Sequence, residues 1–182
     1  MLCTQVKEAN LEGVIPFAQE WADPAIGALN NLLYPYLWQA GGDIFNGNGE
    51  VALTENDAAV KAAQFLYDLR YTCEILPAES MSMTGNDIRD QFVAGNVAVA
   101  SMSANVASIF DEAGINWDFV PSLEDETKAT WIAADSLIMN AASENKELAA
   151  SLMKHITSPA IMEKFHSELS AFLPISKGGV RQ

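Results

Sequence analysis

At 182 residues, 49% of them apolar, the chain is long enough to bury a sizeable core. Its formal charge of −14, from 24 acidic and 10 basic residues, excludes nucleic acid and anionic membrane surfaces as partners, because both need clustered Lys and Arg. No apolar run reaches the ~20 residues that span a bilayer, and two cysteines, Cys3 and Cys73, are too few and too far apart for a zinc site.

A disulfide between those cysteines stays open. Met1 to Asn10 lacks the basic and apolar regions of a secretory signal, which leaves a cytoplasmic chain or one whose leader lies outside this sequence. Val14 to Phe17 predicts a short strand, followed by a polar loop through Gln19, Glu20 and Trp21. Asp23-Pro24 then supplies an N-cap with proline at the first helical position. The helix that follows, over 25–40, ends at Gly41-Gly42, and Pro35 inside it should kink or divide it. Thr54 to Asp57 opens the next helix, whose Ala58, Ala62, Phe65, Leu66 and Leu69 recur at helical spacing until Leu76-Pro77.

A loop over 78–84 leads to a helix over 86–94, then through Gly95 to a strand from Val97 to Met102. Asn105 to Ala113 predicts a helix closed by Gly114, and Trp117 to Val120 predicts a strand. Beyond the polar stretch 122–130, Trp131 to Asn140 reads as a strand. Ser143 caps a helix over 144–157, Ser158-Pro159 opens another to Leu169, and Phe172 to Ile175 is extended. Strands alternating with helices predict an α/β fold with a mostly parallel sheet flanked by helices. Open sheets of that kind bind ligands beyond the carboxyl ends of their strands, so function is sought at 19–21 and 103–105.

Several stretches, in chain order, resemble the family 1 extracellular solute-binding proteins of ABC importers, the maltose-binding-protein-like group. They are Gly13 to Phe17, the helix running into Gly41-Gly42-Asp43-Ile44-Phe45, the helix to Leu76-Pro77, and Phe92-x-x-Gly95-x-x-Ala98. Asp118 to Pro121, Leu137 to Asn140 with Ser143-x-Asn145-Lys146-x-x-Ala149, and Phe172 to Pro174 complete the set. The resemblance covers nearly the whole chain and rests on the order of the features. It implies a type II periplasmic-binding-protein-like fold, two α/β lobes that close on a ligand. Residues 11–120 would belong to the C-terminal lobe, 121–172 to an incomplete N-terminal lobe, and 173–182 to the return, with the rest of a longer protein outside this chain. The function implied is non-enzymatic and cofactor-free: capture of a sugar or oligosaccharide for ABC permease membrane subunits, by an extracellular or periplasmic, membrane-anchored lipoprotein.

Sugar sites combine aromatic faces with planar polar groups. Gln19 and Trp21 meet that description, with the alternative that Trp21 packs on the helix it precedes. Ser103 and Asn105 follow the second strand; the resemblance places an aromatic at Asn105 in some members, whereas Asn can only hydrogen-bond, and the same residue could cap the next helix. Asn31 lies on one helical face with Tyr34 and Trp38, a stripe that also reads as core. Trp131 and Asp135 fall in the predicted strand 131–140, where an unpaired buried Asp would be costly, so Asp135 is either structural or ligand-facing. His155 and His166 lack partner ligands, which argues against a metal. Two other readings compete with a receptor: a glycoside hydrolase using Glu20 and Asp135 as its carboxylate pair, and an interaction fragment without ligand binding. An unpartnered apolar face over 131–172 also predicts self-association of this chain.

Overall fold

Ile15–Ala18 (β1) and Val97–Ala100 (β2) pair in parallel, with Ile15 opposite Val97, Phe17 opposite Val99 and Ala18 opposite Ala100. In this computed structural model residues 4, 8, 9, 11–22, 27–120 and 122–169 are described. The chain divides into two units, Met1–Met102 with Ile115–Ile132, and Ser103–Gly114 with Ala133–Gln182.

In the first unit the connection from β1 to β2 carries most of the helices. The predicted helix over 25–40 is two, Gly27–Leu32 (α1) and Tyr34–Gln39 (α2), with Pro35 in the first turn of the second, where a missing N–H costs nothing. The expected cap at Asp23-Pro24 lies outside the described residues. Ala58–Tyr67 (α3) begins after Thr54 to Asp57, so those residues precede the helix and its first turn holds no acid. It continues as a π-helical turn, Asp68–Thr72. Of the predicted stripe, Ala58, Ala62 and Leu69 are buried; Phe65 is 37% exposed and sets its ring 5.0 Å from that of Tyr36. The loop expected over 78–84 contains a 3-10 turn, Ala78–Ser82, and leads into Gly85–Val93 (α4).

Among the described residues three apolar clusters hold this unit. Tyr36, Leu37, Ala40, Ala58 and Ala62 pack α2 on α3. Leu69, Cys73, Ile75 and Leu76 form a second cluster under Phe17 and Trp21, and Leu66 touches both. Ala18, Ile88 and Val97 bury α4 against the strands. Gly42 is required where α2 meets α3, because a Cβ there would stand 2.6 Å from that of Ala58. Cys73, 4% exposed, is disulfide-bonded; Cys3 lies outside the described residues. The segment 122–129 caps the end of α2: the Thr127 hydroxyl donates to the Trp38 carbonyl at 2.6 Å, and the Gln39 side-chain amide donates to the Ala129 carbonyl at 2.7 Å.

Among its described residues the second unit contains the 3-10 turn Ala104–Val106 and the helices Ala107–Ala113 (α5), Lys146–Ile156 (α6) and Pro159–Leu169 (α7). Gly114 ends α5 at φ 67°, as expected of a left-handed closing residue. Asn145, not Ser143, is the N-cap of α6, and the Ser143 hydroxyl instead accepts from the Asn145 N–H. Two predicted strands, 117–120 and 131–140, are not formed among the described residues, and β2 stops at Ala100 rather than Met102. A strand needs a neighbour to take its backbone hydrogen bonds. Neither stretch is paired in a sheet among the described residues, and several of their apolar side chains stay open, with Phe119 69%, Ile132 76% and Ile138 91% exposed. Phe172 to Ile175 lies outside the described residues.

The α4 start is a reciprocal capping box. The Thr84 side chain accepts from the Asp87 N–H, and the Asp87 carboxylate accepts from both the Thr84 N–H and hydroxyl. Those two bonds from Thr84, side chain first, lower the Asp87 pKa. A carboxyl whose folded pKa is lowered stabilises the fold above its unfolded value and loses that contribution as pH falls through the folded value. Thr84→Ala should destabilise the fold at neutral pH, and this cost should shrink as pH falls below the usual carboxylate range. Urea unfolding across pH checks it, and a cost independent of pH would contradict it.

Candidate functional site

The polar residues just past β1 carry a connected side-chain network. Gln19 is fully buried; its amide nitrogen donates to the Asn31 carbonyl at 3.2 Å and to the Tyr36 hydroxyl at 3.3 Å, while its oxygen is buried without a partner among the described residues. Burial pushes the Tyr36 hydroxyl pKa up, opposed in part by the bond from Gln19. Glu20 is half-buried and accepts from the Gly85 N–H at 3.0 Å, with the Asn31 amide nitrogen 3.5 Å from its other oxygen. A carboxylate at the start of α4 is favoured by the helix's unpaired N–H groups. Trp21 leans on the cluster of Leu69, Cys73, Ile75 and Leu76, with its indole nitrogen buried and unpaired among the described residues. The Ala22 N–H donates to the Met83 carbonyl at 3.3 Å, and the Ser101 N–H to the Ala18 carbonyl at 3.0 Å, so both strand ends are pinned.

Of the residues singled out in sequence, Gln19 and Asn31 are joined directly, and Trp21 follows them on the same strand exit. Gln19 is held in the interior rather than presented to solvent. Trp131 belongs to the same unit and is 38% exposed. Ser103, Asn105 and Asp135, all exposed, fall in the second unit. Asn105 does not cap the helix after it: Val106 is the N-cap of α5, and Asn105 sits inside the 3-10 turn. Tyr34 and Trp38 stack at 5.9 Å, with the Trp38 indole donating to Asp43 at 3.1 Å, which ties that stripe to the loop after α2. Glu20, nominated above as half of a hydrolase pair, has both oxygens turned to Gly85 and Asn31 instead.

Sequence reasoning missed Gly85 and Tyr36 as members of this network. The signal for Gly85 was present in Thr84-Gly85-Asn86-Asp87, a capping-box spacing that fixes the helix start; nothing local marked Tyr36. No group of His, Cys, Asp and Glu among the described residues could hold a metal ion. No described helix is long and apolar enough to cross a membrane.

A side chain at Gly85 would meet the Glu20 carboxylate, its Cβ lying 3.0 Å from an oxygen, so the backbone and the carboxylate define one another's position. Glu20→Ala, which orphans the Gly85 N–H, should therefore cost about 1 to 3 kcal/mol. Glu20→Gln, which keeps an acceptor, should cost clearly less. Equal losses for the two variants in chemical unfolding would show that the bond to Gly85 does not hold this corner.

The chain matches the family model described as bacterial extracellular solute-binding protein over residues 8–163. Solved structures with the same fold include a maltose-bound T. maritima MalE3, 24% identical with a TM-score of 0.75, covering 100% of this chain and 48% of that one. A Thermotoga lettingae ABC transporter solute-binding protein bound with alpha-D-tagatose is 18% identical, with a TM-score of 0.67 and coverage of 94% and 45%. A Thermus thermophilus maltotriose-binding protein bound with maltotriose is 16% identical, with a TM-score of 0.63 and coverage of 91% and 44%. No curated protein sequence matches significantly. The chain spans less than half the length of these solved proteins, whose fold is the type II periplasmic-binding-protein-like one predicted from sequence. Over most of its length the chain therefore belongs to the bacterial extracellular solute-binding protein family.

Proposed function

We propose that this chain is part of the substrate-binding component of an ABC transporter and takes a sugar or oligosaccharide, which it delivers to membrane permease subunits. The observation that carries this reading is the hydrogen-bonded set Gln19, Glu20 and Asn31, with Trp21 beside it, at the carboxyl ends of a parallel strand pair, within a chain of the solute-binding family. The sugars bound by the maltose, tagatose and maltotriose relatives support the ligand class. Trp21 offers the open part of its ring, its indole N–H being buried without a partner among the described residues; Asn31 offers a half-buried planar amide. Trp131, Ser103, Asn105 and Asp135 are read as further ligand contacts. Residues 11–120 are read as one lobe, 121–172 as part of the other and 173–182 as the return. The disulfide at Cys73 supports an oxidising, extracytoplasmic location, with a lipid anchor on the longer protein.

Titrating tryptophan fluorescence of this chain with maltose, maltotriose and tagatose tests the reading. It predicts a weak, saturable change for at least one sugar, with Kd on the order of 1 mM, lost in Trp21→Ala and without release of cleaved products. A flat response to every sugar in a wider panel would overturn it.

Leu137, Ile138, Leu148 and Leu152 of the second unit are 49%, 91%, 72% and 56% exposed, and this supports self-association of the chain through that unit. Light scattering should show mass rising above the monomer with concentration. A constant monomer mass up to high concentration would contradict it.

A further inference from the structure

Asn-Gly steps occur twice in the chain, at Asn46-Gly47 and Asn48-Gly49. Such a step can lose its side-chain amide without an enzyme, because glycine has no Cβ to hinder its backbone nitrogen from approaching the neighbouring carboxamide. As dipeptides the two are equivalent, but the fold separates them. The Asn46 amide nitrogen donates to Glu50 at 3.2 Å and to Glu55 at 2.8 Å, and its side-chain oxygen accepts from the Asn48 N–H at 3.0 Å and the Glu50 N–H at 3.1 Å. Its carboxamide is therefore held at both its nitrogen and its oxygen, and would have to give up those bonds to turn onto the Gly47 nitrogen. Asn48 is exposed at the loop tip, and among the described residues no hydrogen bond restrains its side chain. Among the described residues the Gly49 nitrogen, which would attack, is tied by one bond, its N–H donating to the Asn46 carbonyl at 2.9 Å, in a turn that the Asn48 and Glu50 N–H bonds to Asn46 also brace; Gly49 has φ 80° and no atom lies within 4 Å of an added Cβ. An exposed bond at a loop tip opens readily, and among the described residues the Asn48 carboxamide has no bond of its own to break before it turns toward that nitrogen.

We propose that Asn48 is a site of spontaneous deamidation in the folded protein and that Asn46, two residues earlier, is protected. The Gly49 nitrogen gives up its proton to solvent base and bonds to Cγ of Asn48; the Cγ–Nδ2 bond breaks, and the amide nitrogen leaves with that proton's equivalent as ammonia. The resulting five-membered imide takes up water at either carbonyl, which gives aspartate or isoaspartate at position 48 and needs no co-reactant beyond water. Either product adds a carboxylate beside Glu50. Isoaspartate also lengthens the backbone inside the turn closed by the Phe45–Val51 bridge.

Peptide mapping by mass spectrometry after incubation in mildly alkaline buffer, folded and in denaturant, tests this. In the folded protein, conversion at Asn48 should exceed that at Asn46 by roughly tenfold; in denaturant the two should become similar. Glu55→Ala, which removes one of the restraints on Asn46, should raise conversion at Asn46 while leaving Asn48 unchanged. Equal conversion at both sites in the folded protein, faster conversion at Asn46, or no conversion at Asn48 while denatured protein reacts would each overturn the proposal.

Discussion

Everything at the strand exit depends on one buried amide. Gln19 follows directly on Ala18, the last paired residue of β1, and its nitrogen reaches both the carbonyl of Asn31 on α1 and the hydroxyl of Tyr36 on α2. Those bonds join the strand pair to the helix pair. In a buried setting, losing either partner leaves a polar group unsatisfied, so position 19 is held more firmly than an exposed loop residue could be. The next residue extends the same logic, since Glu20 engages the start of α4 and the side chain of Asn31. Trp21 is then placed by what precedes it as much as by the cluster it covers.

The two units contrast in how far they satisfy their own chemistry. The first has three apolar clusters, a capped helix start and a second capping segment at 122–129. The second has helices whose apolar residues remain largely open and a stretch, 133–140, without strand partners among the described residues. This difference accords with a chain that spans less than half the length of the solved proteins it resembles.

Local signals were legible in the sequence. Proline at the start of α2, glycine after α5 and the alanine stripe of α3 all act within a few residues, and each lies where expected. The parallel pair was legible through its flanking glycine and apolar runs. Strands at 117–120 and 131–140 were not, because apolar alternation gives the capacity to pair and says nothing of whether a neighbour is present. At the site, Gln19 and Asn31 were named as polar residues at a strand end, but their contact spans a turn and a helix start. Glu20 figures in the sequence only as half of the carboxylate pair of the competing hydrolase reading; one of its actual partners, the Gly85 N–H, carries no side-chain signature.

The central claim is that Trp21 and Asn31, positioned by the buried network around Gln19, are what meets a sugar. Amide chemical shifts of the isotopically labelled chain titrated with maltotriose test it most directly, since the Gly85 N–H reports on Glu20 and the side-chain amides of Gln19 and Asn31 report on themselves. The account predicts changes concentrated at 19–21, 31 and 85. Changes confined to other parts of the chain, with those signals unmoved at saturation, would contradict it.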